Sequence, residues 1–277
     1  FKASKLAIDS DRGRIAVDGN YEPRRRYRTE VTATAVFPAT VGRAPARLGL
    51  VARGDRRKMD IGLGGNAPAP VRVSLGVRGE KKPTWAFSGK TEALDLALLG
   101  LADASLPLAF DLKADGAGGA MDLQGRISQG DFVAVIEPSK ARIADEVLTV
   151  EPLAVRALDG LATLRGRADF KDPENPKFRF SVNARGLRWG GPSTGAGQSV
   201  EGAIGADADL GLAGQMKAWA AIGKATLVRD KQTATVDFDG RGNDERMVLH
   251  KLLAKMPTGT LDATGTVGWA PRLRWDL

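Results

Sequence analysis

A two-residue alternation of apolar and polar side chains runs through nearly the whole chain. It limits what this sequence can fold into more than any other feature. From Gly259 every second residue is apolar or bare: Leu261, Ala263, Gly265, Val267 and Trp269. Asp262, Thr264 and Thr266 hold the other phase. Side chains of a strand point alternately to its two faces, so this stretch predicts a strand with one dry and one wet face. The pattern returns in Gly13, Ile15, Val17, Gly19 and Tyr21, in Gly119, Met121, Leu123, Gly125 and Ile127, and in Gly160, Ala162, Leu164, Gly166, Ala168 and Phe170. In each copy two glycines stand six residues apart, in phase with the apolar side chains. A glycine inside a strand marks a bend or a close backbone approach. On the dry face these glycines are expected to open room for something other than a packed protein core.

The same period recurs in Val71, Val73, Leu75 and Val77, in Phe178, Phe180, Val182 and Ala184, and in Ala234, Val236 and Phe238, with turn-forming stretches between. About twenty short strands and few or no long helices follow, which is an all-β sandwich, barrel or elongated sheet. Two segments stay ambiguous. Residues 216–222 fit one helical turn or an irregular strand. In ERMVLHKLLAKMP, residues 245–257, Val248, Leu252 and Met256 suit a helix face as well as Met247 and Leu249 suit a strand. No shift in composition divides the chain. Residues 1–277 read as a single elongated segment, with a weak break at 190–199, GGPSTGAGQS.

Catalytic and metal chemistry find little to work with. There is no cysteine, and His250 is the one histidine, so a transition-metal site and a metal cofactor are not expected. DSDRG at 9–13 begins like a calcium loop but lacks the distal acidic ligand. The glycine runs at 62–65 and 116–119 are not followed by the Lys-Ser/Thr pair of a phosphate loop, and there is no G-x-S-x-G. Carboxylates are scattered over wet strand faces. The reading is a protein that is not an enzyme and carries no cofactor. No apolar run reaches spanning length and no signal peptide is present. The chain begins with Phe and not Met, so it is read as an internal fragment of a longer protein, from which any membrane anchor is absent. The net charge of +8 is dispersed apart from RRRYR, residues 24–28. This is read as a solvated face near anionic lipid headgroups, with no nucleic-acid partner.

Three stretches carry a resemblance to a known family: 151–189, 206–230 and 256–277. The last has Gly259, Gly265, Trp269, Pro271 and Trp275. The first has Gly160, Gly166, Phe170, Pro173, Phe178 and Trp189. They resemble the TamB family, the translocation and assembly module subunits among the AsmA-like bridge-type lipid transfer proteins. The resemblance implies an elongated, curled, antiparallel-rich sheet forming an open hydrophobic trough, a β-taco. It implies a periplasmic location, as part of a protein anchored in the inner membrane of a diderm bacterium, and transport of phospholipid acyl chains towards the outer membrane. It also implies a TamA-like outer-membrane partner, docked through regions of the parent chain not identified in this sequence. Ile15, Val17, Tyr21, Met121, Leu123, Ile127, Leu164, Phe170, Leu261, Val267 and Trp269 would line the trough.

From the residues alone, two outcomes stay open. If the apolar faces pack on one another, the fold is a sandwich and each of these side chains is ordinary core. If the sheet curls without closing, they line a groove that water disfavours unless it is filled. The alternative function is a structural scaffold for outer-membrane protein assembly, acting through sheet edges and the polar face. A transmembrane barrel needs aromatic girdles, which two tyrosines do not supply.

Overall fold

The structure, a computed structural model, describes residues 2–10, 13–39, 45–95, 107–190, 203–269 and 274–276. These residues form nineteen strands and no helix. Contacts divide the chain into two compact units, Phe1–Pro138 and Ser139–Leu277. Most of residues 190–199 lie outside the described residues.

Unit 1 holds β1 (Lys2–Ser10), β2 (Gly13–Glu22), β3 (Arg28–Phe37), β4 (Ala46–Gly54), β5 (Lys58–Asn66), β6 (Pro70–Arg78), β7 (Thr84–Leu94), β8 (Leu108–Ala117) and β9 (Ala120–Gln129). The division falls inside β10 (Phe132–Ala144), beside Pro138, which has no N–H to give a ladder. Unit 2 continues with β11 (Val147–Ala157), β12 (Gly160–Asp169), β13 (Lys177–Trp189), β14 (Ile204–Gln215), β15 (Ala218–Arg229), β16 (Gln232–Gly242), β17 (Arg246–Met256), β18 (Gly259–Gly268) and β19 (Arg274–Asp276). β1 to β18 are 9–13 residues long, well beyond the usual five or six.

Each strand pairs antiparallel with the next in the chain, from β1 to β9 in unit 1 and from β11 to β19 in unit 2. Directly opposed residues of an antiparallel pair share a face. The registers therefore thread side chains into rows that cross the strands. One row of unit 1 is Leu6, Val17, Ala33, Leu50, Leu63, Val73, Gly89, Leu112 and Gly125. One row of unit 2 is Leu153, Leu164, Val182, Leu210, Gly223, Phe238, Leu252 and Ala263. Every strand joins with its apolar phase.

Five strands keep to their row only by slipping. β1, β7, β11, β13 and β17 each carry a register shift at which the apolar phase steps three residues, not two. In β17, Met247 and Leu249 lie opposite Val267 and Gly265, and Leu252, Ala254 and Met256 lie opposite Ala263, Leu261 and Gly259. His250 is the extra residue. This bulge is what gives 245–257 its helical spacing, and the segment is a strand. A slip between Val150 and Leu153 does the same in β11. Residues 216–222 are a hairpin turn followed by the start of β15.

The hairpins are tight. Asp145–Glu146, Leu158–Asp159 and Asp230–Lys231 each have positive φ at both central residues, between 49° and 66°. That is the twist-matched two-residue turn for which Asn-Gly is favoured. A left-handed Leu costs about 1–2 kcal/mol. Replacing Leu158–Asp159 by Asn-Gly is expected to stabilise unit 2 by about 1 kcal/mol, raising Tm by about 2–4 °C in a thermal melt.

Candidate functional site

The candidate site is the apolar phase of each unit. Among the described residues eight hydrophobic ones are buried: Ala46, Leu48, Ala67, Val71, Ala114, Ala168, Ala184 and Leu249. Five of them are alanines. Among the described residues no large side chain is fully buried. Leu210 and Leu212 keep 36% and 37% of their surface, although both sit mid-row in unit 2. A sandwich core would bury such residues almost completely. Here the row residues stay partly open to solvent.

One cluster in unit 1 is closed. Ala46, Leu48, Ala67 and Val71 pack with Ala35, Phe37, Leu63, Val73 and Leu94. The β5–β6 turn holds it: the Ala67 N–H donates to the Ala69 carbonyl at 2.9 Å, and the Asp95 N–H to the Ala67 carbonyl at 2.9 Å. Along the row through Val71 exposure rises towards β1, where Ile15 is 43% and Ile8 60% exposed.

The residues expected to line a trough fall on this phase. In unit 1, Ile15 and Ile127 end on one row, Val17 belongs to the next, and Tyr21 shares a row with Met121. Leu123 lies opposite Ala114. In unit 2, Leu164 opposes Val182, Val267 opposes Met247, and Leu261 opposes Ala254. Phe170 is one step beyond β12, its N–H donating to the Glu146 carbonyl at 2.9 Å. Trp269 is one step beyond β18. Its ring stacks on Trp219, with centroids 6.1 Å apart and planes at 16°. Both indoles donate to the β16–β17 turn, Trp219 to the Asn243 carbonyl at 3.0 Å and Trp269 to the Asp244 carbonyl at 2.6 Å. Trp219 and the row partners on β7, β13 and β16 escaped the sequence reading of the site, because only the register brings them level with it.

The glycines differ from expectation. Gly259 has nothing within 4 Å of a Cβ position, but Gly13, Gly125, Gly160 and Gly166 are closely approached by a neighbouring strand, and aromatic rings lie over Gly166 and over others such as Gly89, Gly223 and Gly242. A Cβ on Gly223 would come within 2.4 Å of Phe238 Cε1 and 2.6 Å of Leu210 Cδ2. At Gly166, with φ of +151°, a Cβ would lie 2.2 Å from the Arg179 carbonyl oxygen and 2.6 Å from Phe180 Cδ1. Such glycines let strands bend and let large side chains lie flat along the sheet. The filling is lateral, within the face.

The polar phase is laced by cross-strand ion pairs. Arg185 clasps Asp209 through both carboxylate oxygens at 2.8 and 2.9 Å, Lys90 meets Asp111 at 3.6 Å, and Arg53–Glu30 and Arg78–Asp60 pair likewise. A concavity of about 620 Å³ in unit 2 is lined mainly from this phase, by Ser181, Asn183, Asp209, Lys224, Asp237, Asp239 and Lys251. Hydrogen bonds from Arg185 and then Asn183 hold Asp209 below the usual carboxylate range, which suits an ion-pair partner and not a proton donor near neutrality.

No family model, curated protein or solved structure matches this chain.

Two outcomes follow. Gly166→Ala should destabilise unit 2 by more than about 2 kcal/mol, whereas Gly62→Ala, which meets nothing within 4 Å, should stay within about 0.5 kcal/mol of wild type in urea unfolding. Glu30, Asp60 and Asp209 are held low mainly by hydrogen bonds from Arg53, Arg78 and Arg185. Their contribution is complete above the unfolded carboxylate pKa, near 4, and is lost as pH falls through the lower folded values. Tm should stay level above about pH 5 and decline in more acid buffer, less steeply in Asp209→Asn.

Proposed function

We propose that the apolar phase of each unit holds the acyl chains of lipids, and that the chain is a segment of a conduit carrying phospholipids between two membranes. The observation that carries this reading is the row architecture. Within each unit apolar residues run strand after strand in rows that the bulges keep in phase, yet no large side chain among the described residues is fully buried. Covering a Leu, Val or Phe completely is worth about 1.5–3 kcal/mol, so a residue left a third exposed forgoes about 0.5–1 kcal/mol. Over a whole face this sums to several kcal/mol, comparable with the net stability of a domain. A hydrocarbon chain restores that loss at about 0.8 kcal/mol per buried methylene and needs no hydrogen-bond partner. A featureless row of aliphatic side chains suits a ligand that slides, since no position on it is chemically distinct.

The resemblance to the TamB family agrees with this reading. On that resemblance the segment would lie in the periplasm of a diderm bacterium, in a protein anchored in the inner membrane and working with a TamA-like partner at the outer membrane. A second reading, a scaffold for outer-membrane protein assembly, draws on β1, where Leu6 and Ile8 are 55% and 60% exposed on a strand at the start of the sheet.

Leu123→Asp and Leu164→Asp each put a charge in mid-face. Both variants should keep the β-sheet circular dichroism spectrum and lose at least four fifths of the phospholipid that co-purifies with the wild type, measured by mass spectrometry after solvent extraction. Wild-type protein that purifies free of lipid and takes none up from vesicles would count against the conduit and for the scaffold.

A further inference from the structure

The positive charge of unit 1 is gathered at one rim. The turns at 23–27, 55–57 and 79–83 lie side by side: the Arg56 N–H donates to the Arg26 carbonyl at 3.2 Å, and the Gly79 N–H to the Arg57 carbonyl at 2.8 Å. The Arg56 guanidinium stands over the Tyr27 ring, 5.2 Å from its centroid. Residues 22–30, 53–60 and 78–84 carry eleven Lys and Arg against five Asp and Glu, so an excess of six sits here, out of +8 for the whole chain. The acids are already engaged. Glu80 is shared by Arg56 and Arg57 at 3.2 and 3.8 Å, Glu22 meets Arg25 at 3.5 Å, Glu30 pairs with Arg53 and Asp60 with Arg78. Asp55 accepts from the N–H groups of Arg57 and Lys58 at 2.7 and 3.0 Å. Arg24, Arg26, Lys81 and Lys82 are exposed and take part in none of the ion pairs among the described residues.

The rim borders the apolar phase. The row nearest to it contains Tyr21, Met59, Val77, Trp85 and Met121. Tyr21 and Tyr27 have ring centroids 6.3 Å apart and are 36% and 44% exposed. Amphipathic aromatics between an apolar surface and a cationic one are what a lipid's glycerol and phosphate region prefers. A nucleic acid would use the cations but has no use for the greasy row beside them.

We infer that, given acyl chains on the apolar face as proposed above, this rim binds the phosphate headgroups of those same lipids, with Arg24, Arg26, Lys81 and Lys82 as the ligating cations. The chains lie across the rows and the phosphate emerges at the turns. The rim thereby favours anionic glycerophospholipids over uncharged lipids with identical chains. The attraction is exposed, so it weakens with salt.

The test compares dioctanoyl phosphatidylglycerol with dioctanoylglycerol, whose chains match, on the full chain and on the variant Arg24→Gln/Arg26→Gln/Lys81→Gln/Lys82→Gln, after thermal melts show that both are folded. The wild type should bind phosphatidylglycerol at least tenfold more tightly at low salt, and less so in 0.5 M NaCl, on the order of a 4 Å Debye length. The variant should bind dioctanoylglycerol as the wild type does and lose the preference. A variant that keeps the preference overturns the headgroup role while leaving the apolar face intact. A wild type that binds neither lipid overturns the acyl-chain reading itself. Displacement of phosphatidylglycerol by micromolar inorganic phosphate, or equal binding of a short DNA duplex that the variant loses, would reassign the rim to free phosphate or to nucleic acid and overturn the inference.

Discussion

Register is the constraint on which the rest depends. An antiparallel pair places opposed residues on one face, and a slip of one residue sends a whole strand's apolar set to the other. In this protein sixteen described pairings all agree on which phase is apolar. Where the sequence would drift out of phase, a bulge corrects it, as at His250 in β17 and between Val150 and Leu153 in β11. Such corrections add irregularity and leave backbone groups to be satisfied, and they are retained at five strands. Each keeps the apolar face of its own unit in phase.

Ordinary sheet proteins cover such a face with a second sheet or with helices. Within each unit of this chain the face covers itself in part. Phe238 and Leu210 lean over Gly223, Phe180 over Gly166, and Trp219 over Gly242. Lateral packing of this kind bends the sheet and shelters each side chain partly, but it stops short of full burial. Among the described residues only the cluster around Leu48 and Val71 is sealed, by the β5–β6 turn. The opposite phase is settled by ion pairs and threonines. It is worth little per contact, about 0.2–1 kcal/mol each, and serves to keep that side in water.

Much of this was legible in the sequence. The two-residue period gave the fold class, and in the copies around Val17, Leu123, Leu164 and Val267 it separated the two faces without help. The bulged strands were harder, because a three-residue step between Leu249 and Leu252 imitates a helix. The meaning of the glycines was not legible: their phase was plain, but whether a ring lies over Gly223 depends on Phe238, which is fifteen residues away and level only through the β15–β16 register. The rim was half legible. RRRYR stood out, whereas its continuity with Arg56 and Lys81 exists only once the turns lie side by side.

The rows, the lateral filling and the cationic rim are joined by the proposal that something other than protein covers the apolar surface. Photocrosslinking decides it most directly, using a phospholipid with a diazirine at the end of an acyl chain and mapping the adducts by peptide mass spectrometry. The account predicts adducts on apolar-phase residues of both units, such as Leu75, Leu123, Val182 and Leu210, and none on polar-phase neighbours such as Ser74 and Asn183. Adducts confined to the polar phase, or an apolar phase that takes up no label at saturating lipid, would contradict it.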